Sequence, residues 1–184
     1  MEISEKKLLV VIDMQNDFID GALGTKEARE IVSRAADKIA EHKGPIFYTM
    51  DTHTEEYLNS AEGRKLPVKH CIKGSEGWKL NDRIKEAIEH SESFPDWTRE
   101  FEKPTFGSVT MAKELKEFVE EEIVDSVEII GLCTDICVIS NALLLKAYYP
   151  ELMIAVDESC CAGVSYETHK NAIEAMRQCQ IDIL

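Results

Sequence analysis

No apolar run in this 184-residue chain is long enough to span a bilayer, and the opening "MEISEKKLLVVID" has neither the apolar core nor the small-residue cleavage site of a secretory leader. No membrane partner is therefore expected, and a cytoplasmic location is. Basic residues are scarce: 21 lysines and arginines stand against 35 acids, for a formal charge of −14. Such a surface repels phosphate backbones, which argues against nucleic acid as a partner. The acidic run "KEFVEEEIVD" reads as the solvated end of a helix. The six cysteines, at 71, 133, 137, 160, 161 and 179, lack the density and spacing of a disulfide framework, and in a reducing compartment they stay thiols. No internal repeat, low-complexity tract or linker interrupts the chain, so a single domain over residues 1–184 is expected.

What is present is an alternation of two periods. Short apolar runs, "KLLVVID", "PIFYTMD", "VEIIGL" and "LMIAVD", have the continuous character of strands buried on both faces; "WTREFEK" is a less apolar strand and "IDIL" a short last one. Between them, helical spacing recurs over residues 26–42, 80–90, 111–121, 135–149 and 165–179. Right-handed crossovers then predict an α/β protein with a doubly wound, mainly parallel sheet of about six strands and helices on both faces. Two stretches break the rhythm: residues 51–78 are long and irregular, and 103–108, "KPTFGS", are rich in turn formers. Loops of the first kind inside compact domains are functional or disordered.

Ligands of open α/β sheets bind beyond the carboxyl ends of the strands. There the chain sets Asp13, Asp51, Lys103 and, after the fourth strand, Cys133 and Cys137. Each has a plain alternative: a strand-end Asp caps the next helix, a lone lysine is a surface residue, and a lone cysteine is a small buried hydrophobe. Together they describe chemistry. If Thr134 caps the following helix, Cys137 lies in its first turn, where unpaired amides and the macrodipole favour a thiolate and can hold an oxyanion. A buried Asp13 takes the thiol proton and Lys103 holds that carboxylate, giving nucleophile, base and orienter without histidine.

The stretches "VVIDMQNDF", "EKPTFGS" and "IIGLCTDICV" resemble, in that order, the three motifs of the isochorismatase-like cysteine hydrolases, and especially the nicotinamidases (pyrazinamidases), over nearly the whole chain. The resemblance implies that Asp13, Lys103 and Cys137 are the catalytic triad. It also implies that the peptide between Leu132 and Cys133 is cis and that the amides of Cys133 and Cys137 face the oxyanion, with Leu132 and Cys133 beside the substrate. A homo-oligomer of two or four chains is implied as well.

Asp51 and His53 lie two apart at a strand end, so their side chains lean the same way, and Glu62 and His70 follow. Carboxylates and imidazoles in this mixture suit a divalent cation, Zn²⁺ first and Mn²⁺ or Fe²⁺ as the other choices, although loop histidines are often only polar surface residues. "DTH" and "HC" resemble the nicotinamidase metal loop, with one departure: Asn59 stands where many relatives have a third histidine, and Glu62 fits a variant that uses a glutamate. Phe18, Trp78 and Phe106 either wall an aromatic substrate or pack the core, with Phe18, inside the first motif, the best placed.

The expected activity is hydrolysis of a small amide, nicotinamide or pyrazinamide, through a cysteine thioester. A carbamoyl or ureido amide is the alternative substrate. A phospho-acceptor receiver domain is the alternative of another class, since acids near the ends of strands one and two and a Lys-Pro at 103–104 fit it too; Met14, the long 51–78 loop and the chain beyond Cys137 count against it. Cys160 and Cys161 read as packing or interface thiols, and His169 as a residue on a helix surface.

Overall fold

The computed structural model describes residues 5–184. In chain order the elements are β1 (Lys7–Ile12), α1 (Asn16–Ile19), α2 (Lys26–Glu41), β2 (Ile46–Asp51), α3 (Asp82–Glu89), β3 (Thr98–Lys103), α4 (Val109–Glu120), β4 (Ser126–Leu132), α5 (Ile139–Tyr148), β5 (Met153–Ala162), α6 (Tyr166–Gln178) and β6 (Asp182–Ile183). The six strands form one sheet in the order β3-β2-β1-β4-β5-β6, and every pairing is parallel. The doubly wound α/β architecture read from the alternation is what the chain adopts.

Both faces of the central strands are buried. Leu8, Val10 and Ile12 of β1 pack with Met111 and Leu115 of α4, Leu145 of α5 and Met176 of α6. Leu9 and Val11 point the other way, against Ile31, Ala35 and Ile39 of α2 and Ile84 and Ile88 of α3. Period two along the strand thus serves two cores, and each fully buried aliphatic side chain contributes roughly 1.5–3 kcal/mol. α2, α4 and α6 begin at side-chain caps: Thr25 accepts from Ala28 N at 3.0 Å, Ser108 from Met111 N at 3.2 Å, and Ser165 and Thr168 form a capping box.

The strand order places the site. From β1 the chain winds outward through β2 to β3, then returns to β4 on the other side of β1. The switch point lies at the carboxyl ends of β1 and β4, the ends that carry Asp13 and Cys133. Gly131 permits the close approach there: its φ is +119°, and a Cβ would lie 2.1 Å from the Ile12 carbonyl oxygen.

Two expectations change. β5 runs on from Asp157 to Ala162, because a register shift after Ile129 lets Cys161 and Ala162 pair with Gly131 and Leu132. The helix expected over 135–149 opens as a π-helical turn, Thr134–Val138, before α5. Among the described residues no helix is long and apolar enough to cross a membrane.

Candidate active site

Asp13 ends β1 in a left-handed turn (φ 45°), a conformation that Asp adopts more readily than most residues. It is wholly buried. The Thr49 hydroxyl of β2 donates to its Oδ1 at 2.6 Å, and Lys103 Nζ, from the end of β3, lies 2.6 Å from its Oδ2. The same ammonium is 3.4 Å from Cys137 Sγ and 3.6 Å from Asp51 Oδ1. Three strand ends and one helical turn therefore bring Asp13, Lys103 and Cys137 into contact. Lys103 is 1% exposed, so its charge is balanced by protein carboxylates rather than by water.

Burial raises the Asp13 carboxyl above the ordinary range against the pull of Lys103, which makes it a better proton acceptor. Burial, reinforced by Asp13, also holds the Cys137 thiol well above its ordinary range, with Lys103 opposing. This corrects the thiolate expected from a helix N-terminus. The first turn is π-helical, Thr134 does not cap it, and desolvation outweighs the helix end. Ultraviolet difference spectra of the ligand-free protein against Cys137→Ala should show no Cys137 thiolate at neutral pH, with the signal emerging only in alkali; a neutral-pH thiolate would restore the helix-end account.

The peptide between Leu132 and Cys133 is cis. Beyond it the Cys133 carbonyl accepts from the amides of Ile136 and Val138, both at 3.1 Å, shaping the turn that carries Cys137. Thr134 instead meets His169 of α6, whose Nδ1 is 2.8 Å from its Oγ1. His169 is only 9% exposed and not on the helix surface, because this bond and Gly163, whose backbone lies against its Cα and Cβ, draw it inward.

A second cluster flanks the triad. Asp51 Oδ2 is 2.9 Å from His53 Nε2 and 3.5 Å from His70 Nε2. Glu62 Oε1 is 3.7 Å and 3.8 Å from the same two nitrogens. Burial would raise the Asp51 carboxyl, but His53, His70 and Lys103 hold it below the usual carboxylate range. The His70 Nδ1 bonds the Val68 carbonyl at 2.9 Å, which leaves the Nε2 lone pair for a ligand. His53 Nε2 is buried yet makes no well-directed hydrogen bond, which is the behaviour of an atom aimed at a cation. Ligands about 2.1 Å from a tetrahedral ion stand roughly 3.4 Å from one another, so Asp51, His53 and His70 have the right chemistry and spacing, with Glu62 close enough to join them. Asn59, in the 3₁₀ turn Tyr57–Asn59, donates its side-chain amide to Glu56.

Both clusters open into one mainly apolar cavity of about 1100 Å³, walled by Phe18, Tyr57, Phe106, Ile136 and Val164 as well as by Cys133 and Cys137. Phe18 packs edge-on to His70, with ring centroids 5.6 Å apart. Trp78 does not line the cavity: its indole N–H donates to Thr52 Oγ1 at 2.9 Å. Leu132 does not line it either, its side chain being wholly buried in the core with Ile130. Asn141, four residues after Cys137, belongs to none of the three motifs yet serves the site. Its amide donates to the carbonyls of Cys137 (2.8 Å) and Phe106 (3.0 Å) and accepts from Ser108 N (2.8 Å), tying the nucleophile turn to the loop after Lys103. A polar residue inside the apolar helix "VISNALLLK" was the available signal.

The family model described as Isochorismatase domain matches residues 7–184. The chain belongs to the isochorismatase family. Among its relatives, it is 25% identical over 190 residues to the nicotinamidase/pyrazinamidase of Mycobacterium tuberculosis, covering 97% of this chain and 98% of that protein. Its structure is similar to that of a pyrazinamidase/nicotinamidase from Streptococcus mutans, with a TM-score of 0.81 and 28% identity over 97% of this chain and 99% of the other. The fold is also that of the Pyrococcus horikoshii pyrazinamidase in complex with zinc, at a TM-score of 0.79, 24% identity and coverage of 98% and 99%. Family membership and the burial of Asp51 between two imidazoles set aside the receiver-domain reading.

Proposed function

We propose that this isochorismatase-family protein is a cysteine amidase that hydrolyses nicotinamide, and likewise pyrazinamide, to the carboxylate and ammonia, with the whole chain acting as one catalytic domain in the cytoplasm and assembling as a homo-oligomer. One observation carries the reading: Cys137, backed by the buried Asp13 and Lys103, and the Asp51–His53–His70 cluster line a single apolar cavity. The first set suits attack on a carboxamide, the second suits a heteroaromatic nitrogen presented through a metal, and the wall suits a flat ring.

In the proposed reaction Asp13 takes the Cys137 proton as the sulfur attacks the amide carbon, so no free thiolate is needed beforehand. The backbone N–H groups of Cys133 and Cys137 donate to the developing oxyanion. Asp13 then returns the proton to the departing nitrogen, which leaves as ammonia and completes the thioester. Water gives a proton to Asp13 while attacking the thioester carbon, the acid departs, and the proton returns to Cys137. Lys103 keeps the Asp13 carboxylate aimed at the sulfur throughout. Asp51, His53 and His70, with Glu62, would hold a divalent cation, Zn²⁺ before Mn²⁺ or Fe²⁺, and it would supply a Lewis-acid seat for the ring nitrogen.

The test is ammonia release from nicotinamide, pyrazinamide and a panel of carbamoyl and ureido amides, before and after chelation. Turnover of the two ring carboxamides, lost on metal removal and recovered on adding back Zn²⁺, Mn²⁺ or Fe²⁺, is expected. Turnover confined to a carbamoyl or ureido compound would replace the substrate assignment, and full activity in the stripped protein would remove the metal from the reaction.

A further inference from the structure

Gln15 and Asp17 stand inside the first motif beside Asp13, yet neither lines the cavity and the proposed chemistry gives them no part. Their hydrogen bonds lead to the other cluster. Gln15 is wholly buried, and its side-chain amide brackets the backbone of Asp51: Oε1 accepts from Asp51 N at 2.7 Å and Nε2 donates to Asp51 O at 2.9 Å. The same Nε2 donates to Trp78 O at 2.7 Å. One amide thereby joins the first and last residues of the long irregular segment that contains all four proposed ligands. Closing a loop of that length costs chain entropy, and a buried amide with its polar groups satisfied on both ends is a device for holding it shut.

Asp17 grips the middle of the same segment. Its Oδ2 accepts from Cys71 N at 2.7 Å, and its Oδ1 accepts from Ala22 N at 3.1 Å. Cys71 follows His70 directly and is itself in the left-handed region (φ 46°), a turn that a charged acceptor on its N–H stabilises. The carboxylate fits only because residue 77 is glycine, where a Cβ would lie 2.2 Å from Asp17 Oδ2. The backbone of the motif adds a ladder, with Asn16 N donating to Lys79 O (3.0 Å), Asp17 N to Gly77 O (2.9 Å) and Asn81 N to Met14 O (2.9 Å). His53 N in turn donates to Cys71 O at 2.9 Å, so a shift of Cys71 moves both imidazoles.

We infer that Gln15 and Asp17 are positioning residues that close the 51–78 loop into the frame in which Asp51, His53 and His70 converge on a divalent cation. The inference rests on reading that cluster as a metal site. It gives the first motif two tasks, with Asp13 serving the sulfur and its two neighbours serving the metal loop.

Metal-stripped wild type, Gln15→Glu, Asp17→Asn and Asp17→Ala should be titrated with Co²⁺, followed by its ligand-field absorption, and with Zn²⁺ in competition with a chromogenic chelator. The metal-free thermal midpoint and the iodoacetamide alkylation rate of Cys137, read from peptide mass, should be measured alongside. Asp17→Ala should raise the Kd for both ions roughly 10–100-fold, the usual cost of losing a group that orients a ligand. Asp17→Asn, which keeps one acceptor, should fall between it and wild type, and Gln15→Glu, which keeps the acceptor and loses both donations, should also weaken binding. Alkylation of Cys137 should stay within about twofold, since the triad makes no hydrogen bond to either side chain. Wild-type affinities in folded Asp17→Asn and Gln15→Glu would overturn the inference while leaving the metal site standing, whatever happens to the thermal midpoint. A wild type that binds neither ion would overturn the cation reading and the inference with it.

Discussion

Replacing Cys137 with alanine should abolish ammonia release, a fall of roughly 10⁴-fold or more, and leave the protein folded. The sulfur is the nucleophile the geometry offers: Lys103 Nζ is 3.4 Å from it and 2.6 Å from Asp13 Oδ2, and the Asp13 charge is felt at the thiol. Removing one buried sulfur costs about 1–2 kcal/mol of packing, so circular dichroism and the thermal midpoint should change little. Cys133→Ala is the informative partner. The Cys133 thiol is pushed up to about 12, by burial first and then by Asp135, and no lysine contact comparable to that of Cys137 supports it. Its part is played through the backbone N–H, which alanine retains, so activity should stay within about fivefold of wild type. Near-normal turnover in Cys137→Ala would sink the thioester scheme. An equal loss in both variants would show that the two cysteines divide their work differently.

The second large effect falls on stability as well as rate. Lys103→Met leaves Asp13 as an unpaired charge at 0% exposure, and breaking a buried ion pair from one side typically costs about 3–5 kcal/mol. In a chain of this size the thermal midpoint should fall by roughly 6–20 °C. Adding Asp13→Asn removes the orphaned charge, so the double variant should recover much of that loss, although neither protein should release ammonia. Recovery of stability without activity separates the two duties of the lysine, which are to balance a buried carboxylate and to aim it. If Lys103→Met melts with wild type, the ion pair is not the structural tie that its burial indicates.

Much of the architecture is legible along the chain because both of its signals are local. "KLLVVI" is apolar on both faces, so it reads as a central strand, and the spacing of Ala28, Ile31, Ala35 and Ile39 reads as a helix with one buried face. The end of β5 was not legible. The polar "DES" resembles a strand end, and the pairing of Cys161 with Gly131 that prolongs the strand depends on a register shift in its partner. Thr134 and His169 are obscure in the sequence for the same reason: each looks like an ordinary cap or surface residue until α6 is packed against the turn after β4 and they meet at 2.8 Å. Trp78 has the aromatic ring that suits a cavity wall, yet its N–H is committed to Thr52, a partner 26 residues away.

For the site itself, residue identities carry the kind of chemistry and tertiary contacts carry its terms. An acid, a lysine and a cysteine at successive strand ends, and imidazoles with carboxylates in a long loop, can be read from spacing because parallel strands must deliver their carboxyl ends to one edge. Protonation cannot be read that way. Whether Cys137 rests as thiol or thiolate is decided by desolvation and by the carboxylate beside it, and both exist only once β3, β2, β1 and β4 are assembled into one sheet. The sequence by itself determined the sheet, the edge at which the reactive residues gather and the set of side chains available there. Only the tertiary structure decided that Gln15 and Asp17 hold the loop and that Thr134 meets His169, because each of these rests on contacts between residues dozens of positions apart.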